Sequence, residues 1–215
     1  MLVLHYGAMQ LRADKVDGVL AGTKAQHRAA LLAARRTVPH EVRAAEALAL
    51  CAHLDEFVAP DDTVCAYLPV GTEPGSLQVV DRLHDVCARV LLPVTRTGAD
   101  GEPVALLWSV YVPGELVAAR YGLLEPAGPV MASSALGDAD LVLVPALAVD
   151  RRGVRLGRGG GFYDRSLPLR QPSAKLVAVV RDSELVDELP SEPHDIRMTH
   201  VLTPKHGLCA LANTE

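Results

Sequence analysis

No stretch of this sequence reaches about 18 consecutive uncharged apolar residues, so no helical membrane span is predicted. Basic residues are not in surplus: 21 Lys and Arg stand against 26 Asp and Glu, a formal net charge of −5. A nucleic-acid-binding domain usually presents a basic face, so no nucleic-acid partner is expected. An anionic ligand would be held by local donors rather than by the overall field. Cysteine is sparse. Cys51, Cys65, Cys87 and Cys209 form no C-x-x-C and lie near no histidine pair at zinc spacing. They read as small buried apolar residues in a reducing compartment. Repeats, low-complexity tracts and a clear linker are also missing. Residues 1–22 are mildly apolar but broken by Arg12, Asp14, Lys15 and Asp17, without the ordered regions of a signal peptide. They are expected to form a partly ordered arm on a cytoplasmic protein.

What is present is enough apolar material for a large core: 215 residues, 49% hydrophobic, expected as one α/β domain over residues 23–215. Thr23-Lys24-Ala25-Gln26 fits a capping box, and an Ala/Leu-rich helix follows to about Arg36. Pro39 suits the first turn of a second helix, with apolar residues near helical spacing up to Pro60. Thr63–Leu68 reads as a short buried strand, Pro69–Gly75 as a loop, and Ser76 as the cap of a helix to about Arg89; Val90–Val94 is the next strand. Strand, loop, helix, strand is the βαβ unit of a parallel sheet. Thr97–Glu102 predicts a hairpin turn, Val104–Ser109 a strand and Glu115–Arg120 a short helix. Asp140–Pro145 and Lys175–Val180 are apolar enough for strands covered on both faces, and His200–Thr203 reads as a last strand. The expectation is a three-layer domain with a mostly parallel central sheet, binding its ligand outside the carboxyl ends of the strands.

The segment 140–167, DLVLVPALAVDRRGVRLGRGGGFYDRSL, carries the chemistry. A buried strand ends at Pro145. A loop with Gly153, Gly157, Gly159, Gly160 and Gly161 follows, and Phe162, Tyr163 and Asp164 begin a helix. Glycines let backbone N–H groups approach an anion closely, and a helix start adds positive potential. Arg151, Arg152, Arg155 and Arg158 flank the loop and suit phosphate or carboxylate. The loop is neither G-x-x-x-x-G-K-[ST] nor G-x-G-x-x-G, since Phe162 stands where the last glycine would be. On physics alone it is an anion site or a glycine-rich surface turn with solvated arginines.

Pro145…Asp150…Gly153 followed by Arg155-Leu156-Gly157-Arg158-Gly159-Gly160-Gly161-Phe162-Tyr163-Asp164 resembles the signature RLG-x-G-x-G-[YF]-YD of the 5-formyltetrahydrofolate cyclo-ligases, or methenyltetrahydrofolate synthetases. Lys24-Ala25-Gln26-His27-Arg28 resembles that family's K-x-x-x-R. Tyr67–Glu73 is similar to its Y-x-P-x-x-x-E loop, Gly122–Pro126 to its G-[IV]-x-EP element, and Glu192-Pro193-His194-Asp195 to its E-x-HD turn. The islands run in order from Lys24 to about Thr203. The resemblance implies a fold like that of the sugar-phosphate isomerase and CoA-transferase group. It implies ATP- and Mg²⁺-dependent cyclisation of 5-formyltetrahydrofolate to 5,10-methenyltetrahydrofolate. ATP phosphorylates the formyl oxygen, N10 attacks the formyl carbon, and phosphate departs.

It also implies roles. Lys24, Arg28 and the loop Arg155, Leu156, Gly157, Arg158, Gly159, Gly160, Gly161, Phe162 and Tyr163 would bind ATP. Arg158, Gly159, Gly160, Gly161 and Phe162 would also face the folate, with Glu73 holding the pterin. Arg155, Arg158 and Tyr163 would act in catalysis, and Asp164 and Asp195 would bind Mg²⁺. Two carboxylates completed by phosphate oxygens and water suit that ion. Asp164 also reads as a helix-start carboxylate, Asp195 as a turn residue, Glu73 as a solvated loop acid, and Lys24 and Arg28 as one basic face at i, i+4. Trp108 lines the folate pocket or sits in the core. Gly160 and Phe162 depart from commoner, larger or hydroxylated family residues. The expected partner is a small-molecule folate, and the expected assembly a monomer or weak homodimer. Two further readings share the architecture: a phosphosugar sensor, and a folate binder without catalysis.

Overall fold

A computed structural model describes residues 22–192 and 195–212. The expected arm up to residue 21, and Pro193-His194 of the E-P-H-D turn, lie outside them. Helix α1 (Lys24–Arg36) begins with the capping box: the Thr23 hydroxyl accepts the Gln26 N–H, and the Gln26 side chain accepts the Thr23 N–H at 2.8 Å. Helix α2 (His40–His53) follows Pro39. Strand β1 (Thr63–Cys65), helix α3 (Leu77–Val86) and strand β2 (Arg89–Val94) form the anticipated βαβ unit, with β1 and β2 parallel from Thr63 opposite Arg89. The chain continues through β3 (Leu107–Val110), β4 (Leu116–Ala118), β5 (Leu124–Pro126), β6 (Leu141–Pro145), β7 (Ala148–Asp150) and β8 (Arg155–Leu156). Helix α4 (Phe162–Ser166), β9 (Lys175–Val179), β10 (Leu185–Val186), β11 (His200–Thr203) and β12 (Gly207–Ala210) complete it.

Seven strands form the central sheet in the order β12-β11-β9-β6-β1-β2-β3. The five inner strands are parallel, and the two edge strands, β3 and β12, are antiparallel to their neighbours. Alternation along β6 shows why both faces are covered. Leu141 and Leu143 pack with Leu50 and Leu54 and with Val80 and Leu83 of α3. Val142 and Val144 point the other way, against Leu136, Leu167 and Met198. The period of two therefore divides one apolar run between two buried layers.

Three local readings change, and the alternative left open for Trp108 is decided. Glu115–Arg120 is not a helix: Leu116–Ala118 pairs antiparallel with Leu124–Pro126. Helix propensity is worth only tenths of a kcal/mol per residue, about what cross-strand pairing supplies in return, so tertiary context decides. Ser76 occupies the N-cap of α3, but its hydroxyl makes no capping bond and is buried. Of the cysteines only Cys65 is buried; the other three are partly exposed, and all four are free. Trp108, 1% exposed, belongs to the core.

A second sheet, β10-β7-β8, carries the chain from the end of β6 to the glycine loop. Its turn is organised by the fully buried Asp150, whose carboxylate accepts the Arg152, Val154 and Leu189 N–H groups at 2.9, 2.9 and 3.0 Å. Gly153 sits in this turn at φ +82°, and a Cβ there would stand 2.3 Å from the Met198 carbonyl oxygen. Gly153→Ala should therefore cost at least ~2 kcal/mol through combined backbone strain and overpacking. A denaturant midpoint unchanged from the wild type would contradict that.

Candidate functional site

Parallel strands β1, β2 and β6 end on the same edge of the sheet, and a cavity of about 340 Å³ opens beyond them. Leu68, Val70 and Glu73 line it from the loop after β1, Leu92, Pro93 and Thr95 from the end of β2, and Pro145, Ala146 and Leu147 from the end of β6. Gly157 through Asp164, together with Arg155, close the remaining wall. Leu106, Leu123 and Leu124 add apolar surface. A cavity of this size with mostly apolar walls and a few convergent polar groups has the form of a small-molecule site.

Arg155 leaves β8 with only 8% of its side chain exposed. It donates from Nη1 to the Pro145 carbonyl at 3.2 Å and from Nη2 to Asp164 Oδ1 at 2.5 Å, and its guanidinium lies 5.8 Å from the Tyr163 ring centroid. The close passage explains one glycine. A Cβ on Gly157 would stand 2.6 Å from Arg155 Nη1. Arg158 crosses the cavity mouth. Its Nε lies 3.0 Å from Glu73 Oε1, and its Nη2 donates to the Val70 carbonyl at 3.2 Å. Glu73 also accepts the Val70 N–H at 2.8 Å, so the carboxylate is fixed by its own turn as well as by the arginine.

The N-terminal helix meets the same loop from outside. Arg28 Nε donates to the Gly157 carbonyl at 2.9 Å and packs beside Gly159. One turn earlier, Lys24 Nζ lies 2.9 Å from Asp195 and 3.4 Å from Glu192. Neither Lys24, Arg28 nor Asp195 lines the cavity; they form an adjoining polar cluster joined to it at Gly157. Leu156 is not in the loop wall either. It is 2% exposed and packs with Ala148, Val154 and Leu189. Helix α4 spans only five residues, so the expected dipole contribution at its start is small.

Burial pushes the Tyr163 phenol well above its ordinary pKa, with Glu73 adding to the effect and Arg155 opposing it. The group is therefore a neutral hydrogen-bond donor, not a base. Its hydroxyl is buried and, among the described residues, has no hydrogen-bond partner. The described residues include no cluster of three or more His, Cys, Asp or Glu side chains able to hold a metal unaided. Of the two carboxylates expected to hold Mg²⁺, Asp164 lines the cavity and Asp195 lies in the adjoining polar cluster. Each now faces a cation, Arg155 or Lys24.

The sequence reading did not single out Arg35, Glu184 or Arg181. Arg35, 1% exposed, lines the cavity floor and pairs with Glu184. A signal existed: Lys24, Arg28 and Arg35 share one face of α1. Glu125, buried in the G-L-L-E-P element, lies outside the cavity wall. It accepts the Thr95 N–H at 2.7 Å and holds that corner of the cavity.

Residues 21–204 match the 5-formyltetrahydrofolate cyclo-ligase family. A protein named 5-formyltetrahydrofolate cyclo-ligase from Mycolicibacterium smegmatis is 56% identical over 189 residues, covering 88% of this chain and 97% of the relative. One of the same name from Escherichia coli K12 is 36% identical, covering 66% of this chain and 78% of its own. Among solved structures, the Aquifex aeolicus 5,10-methenyltetrahydrofolate synthetase superposes with a TM-score of 0.71 at 23% identity, covering 89% of this chain and 94% of that one. The Mycoplasma pneumoniae synthetase gives 0.64 at 17% identity, covering 84% and 98%. At these identities the structural likeness speaks for the fold.

Tyr163→Phe removes a buried hydroxyl that has no partner among the described residues, so the ligand-free variant should be as stable as the wild type or slightly more so. A loss above ~1 kcal/mol in denaturant unfolding would mean that the hydroxyl is satisfied within the protein.

Proposed function

Because the chain belongs to the 5-formyltetrahydrofolate cyclo-ligase family, we infer that it closes 5-formyltetrahydrofolate to 5,10-methenyltetrahydrofolate, with ATP and Mg²⁺ as co-reactants. One observation carries the reading: the signature loop, with Arg155 and Arg158, lines the same cavity as Glu73. The loop proposed to bind phosphate and the carboxylate proposed to hold the pterin thus face one cavity.

The chemical difficulty is the formyl oxygen, a poor leaving group. Transfer of a phosphoryl group to it makes departure easy, and N10 can then attack the formyl carbon. Positioning and charge stabilisation dominate such a reaction. In the proposed division of labour, Arg155, Arg158 and the backbone from Gly157 to Phe162 receive phosphate, and Lys24 and Arg28 approach it from α1. Arg158 and Gly159 to Phe162 face the folate, and Glu73 accepts the amino and ring N–H groups of the pterin. Asp164 and Asp195 would hold Mg²⁺ with phosphate oxygens, and the ion would supply positive charge against the transferring group. Tyr163, fixed as a donor, suits an oxygen of either substrate.

The same reading carries coarser proposals: one catalytic domain over residues 23–215, kinship with the sugar-phosphate isomerase and CoA-transferase fold group, a monomer or weak homodimer, and a cytoplasmic location. No helix among the described residues is long and apolar enough to cross a membrane.

The direct test mixes the protein with 5-formyltetrahydrofolate, ATP and Mg²⁺ and follows the near-ultraviolet band of the methenyl product. Growth of the band is expected; a trace equal to the no-enzyme control would refute the assignment. Asp164→Ala, at an exposed position, should abolish turnover with the fold intact, and a normal rate would remove Asp164 from the metal site. Arg158→Ala should raise KM for both substrates by about 10-fold or more, the size expected for a charge-assisted hydrogen bond. Unchanged values would place it elsewhere.

A further inference from the structure

Behind the cavity lie buried charges for which the proposed reaction has no use. Arg181 is 5% exposed and Glu184 is 4% exposed. Arg181 donates from Nε to Glu46 Oε2 at 2.7 Å, from Nη1 to the Thr72 carbonyl at 3.2 Å, and from its backbone N–H to Glu184 Oε2 at 2.9 Å. Glu184 also accepts Arg35 Nε and Nη2, each at 2.7 Å, and Arg35 Nη2 reaches the Ala146 carbonyl at 2.6 Å.

The two carbonyls at the ends of this chain are informative. Thr72 immediately precedes Glu73 in the loop after β1, and Ala146 lies in the cavity wall at the end of the neighbouring strand β6. Apart from Arg158, which reaches Glu73 and the Val70 carbonyl, the Glu73 turn is otherwise held by contacts close in sequence: the Glu73 N–H to the Val70 carbonyl at 3.3 Å, and its carboxylate to the Val70 N–H. It contains Gly71 at φ +65°, a position of little intrinsic stiffness. The ion pair from Glu73 to Arg158 would have to open when ligand enters. The contact from Arg181 to Thr72 comes from behind the turn and can persist through that exchange.

We propose that Arg181 is a positioning residue for the folate site. It pins the turn from Val70 to Glu73 through the Thr72 carbonyl, and through Glu184 and Arg35 it ties that turn to the Ala146 wall. The placement of the Glu73 carboxylate relative to the wall at the end of β6 is thereby fixed before ligand arrives, which favours the pterin by preorganisation. Its three partners and burial make Arg181 unsuited to Lys replacement: a single ammonium can keep Glu46 but cannot span Thr72 as well. The proposal rests on the assignment of Glu73 to the pterin.

The test is a double-mutant cycle on Arg181 and Glu73, read as separate KM values for 5-formyltetrahydrofolate and ATP. Arg181→Lys should raise KM for the folate about 10-fold and leave KM for ATP within about 2-fold. In a Glu73→Gln background the same change should have almost no further effect. Glu46→Gln weakens the same buried cluster but spares the Thr72 contact, so it should lower Tm without raising the folate KM. If Arg181→Lys folds too poorly to assay, Arg181→Gln with Glu46→Gln leaves no stranded acid and carries the same comparison. An unchanged folate KM in Arg181→Lys overturns the proposal, as do effects that add to those of Glu73→Gln or an equal KM rise in Glu46→Gln. A folate KM unmoved by Glu73→Gln itself would instead sink the Glu73 assignment and the proposal with it.

Discussion

A guanidinium or carboxylate cannot be left bare against mostly apolar walls, because its desolvation would exceed what the surroundings return. The site answers this by pairing its own charges. Arg155 faces Asp164, Arg158 faces Glu73, Lys24 faces Asp195, and Arg28 donates to the Gly157 carbonyl. Each acid assigned to pterin or magnesium thus holds a cation assigned to phosphate. On the proposed assignments, ligand entry would be an exchange of partners: phosphate oxygens would replace the carboxylates on the arginines, and the pterin and the metal ion would take the carboxylates.

The fold makes that arrangement possible at modest cost in flexible chain. Parallel β1, β2 and β6 deliver three loops to one edge, and the small β7-β8-β10 sheet swings the chain from the end of β6 back over it. Asp150 and Gly153 fix this return by three backbone hydrogen bonds and one close approach to Met198. The glycine loop is therefore anchored at its entry by buried structure and at Gly157 by Arg28. The buried chain from Arg35 through Glu184 to Arg181 performs the corresponding service beneath Glu73.

Much of this was legible in the residues. The capping box at Thr23, the βαβ unit and the apolar strands 141–145 and 175–179 follow from local chemistry and period, and the structure has them. The loop 155–164 could be read as an anion site from its glycines and arginines, and the spaced islands joined Glu73 to it. Other features depend on distant contacts. Glu115–Arg120 looks helical until Leu124–Pro126 lies alongside. Leu156, inside the signature, serves the core, because alternation in β8 turns it away from the cavity. Arg181 carries no local mark and Arg35 only its place on the Lys24/Arg28 face of α1, since an arginine at the end of a helix or strand ordinarily meets solvent. Only the approach of Glu184 and Glu46, far away in sequence, explains their burial.

The exchange of partners is best tested by a crystal structure of the protein with 5-formyltetrahydrofolate, Mg²⁺ and a non-hydrolysable ATP analogue. The account predicts Glu73 released from Arg158 and bonded to the pterin, Asp164 turned from Arg155 toward the metal ion, and both arginines on phosphate oxygens. A ternary complex with the Arg158–Glu73 and Arg155–Asp164 pairs intact, and the folate bound outside the cavity, would contradict it.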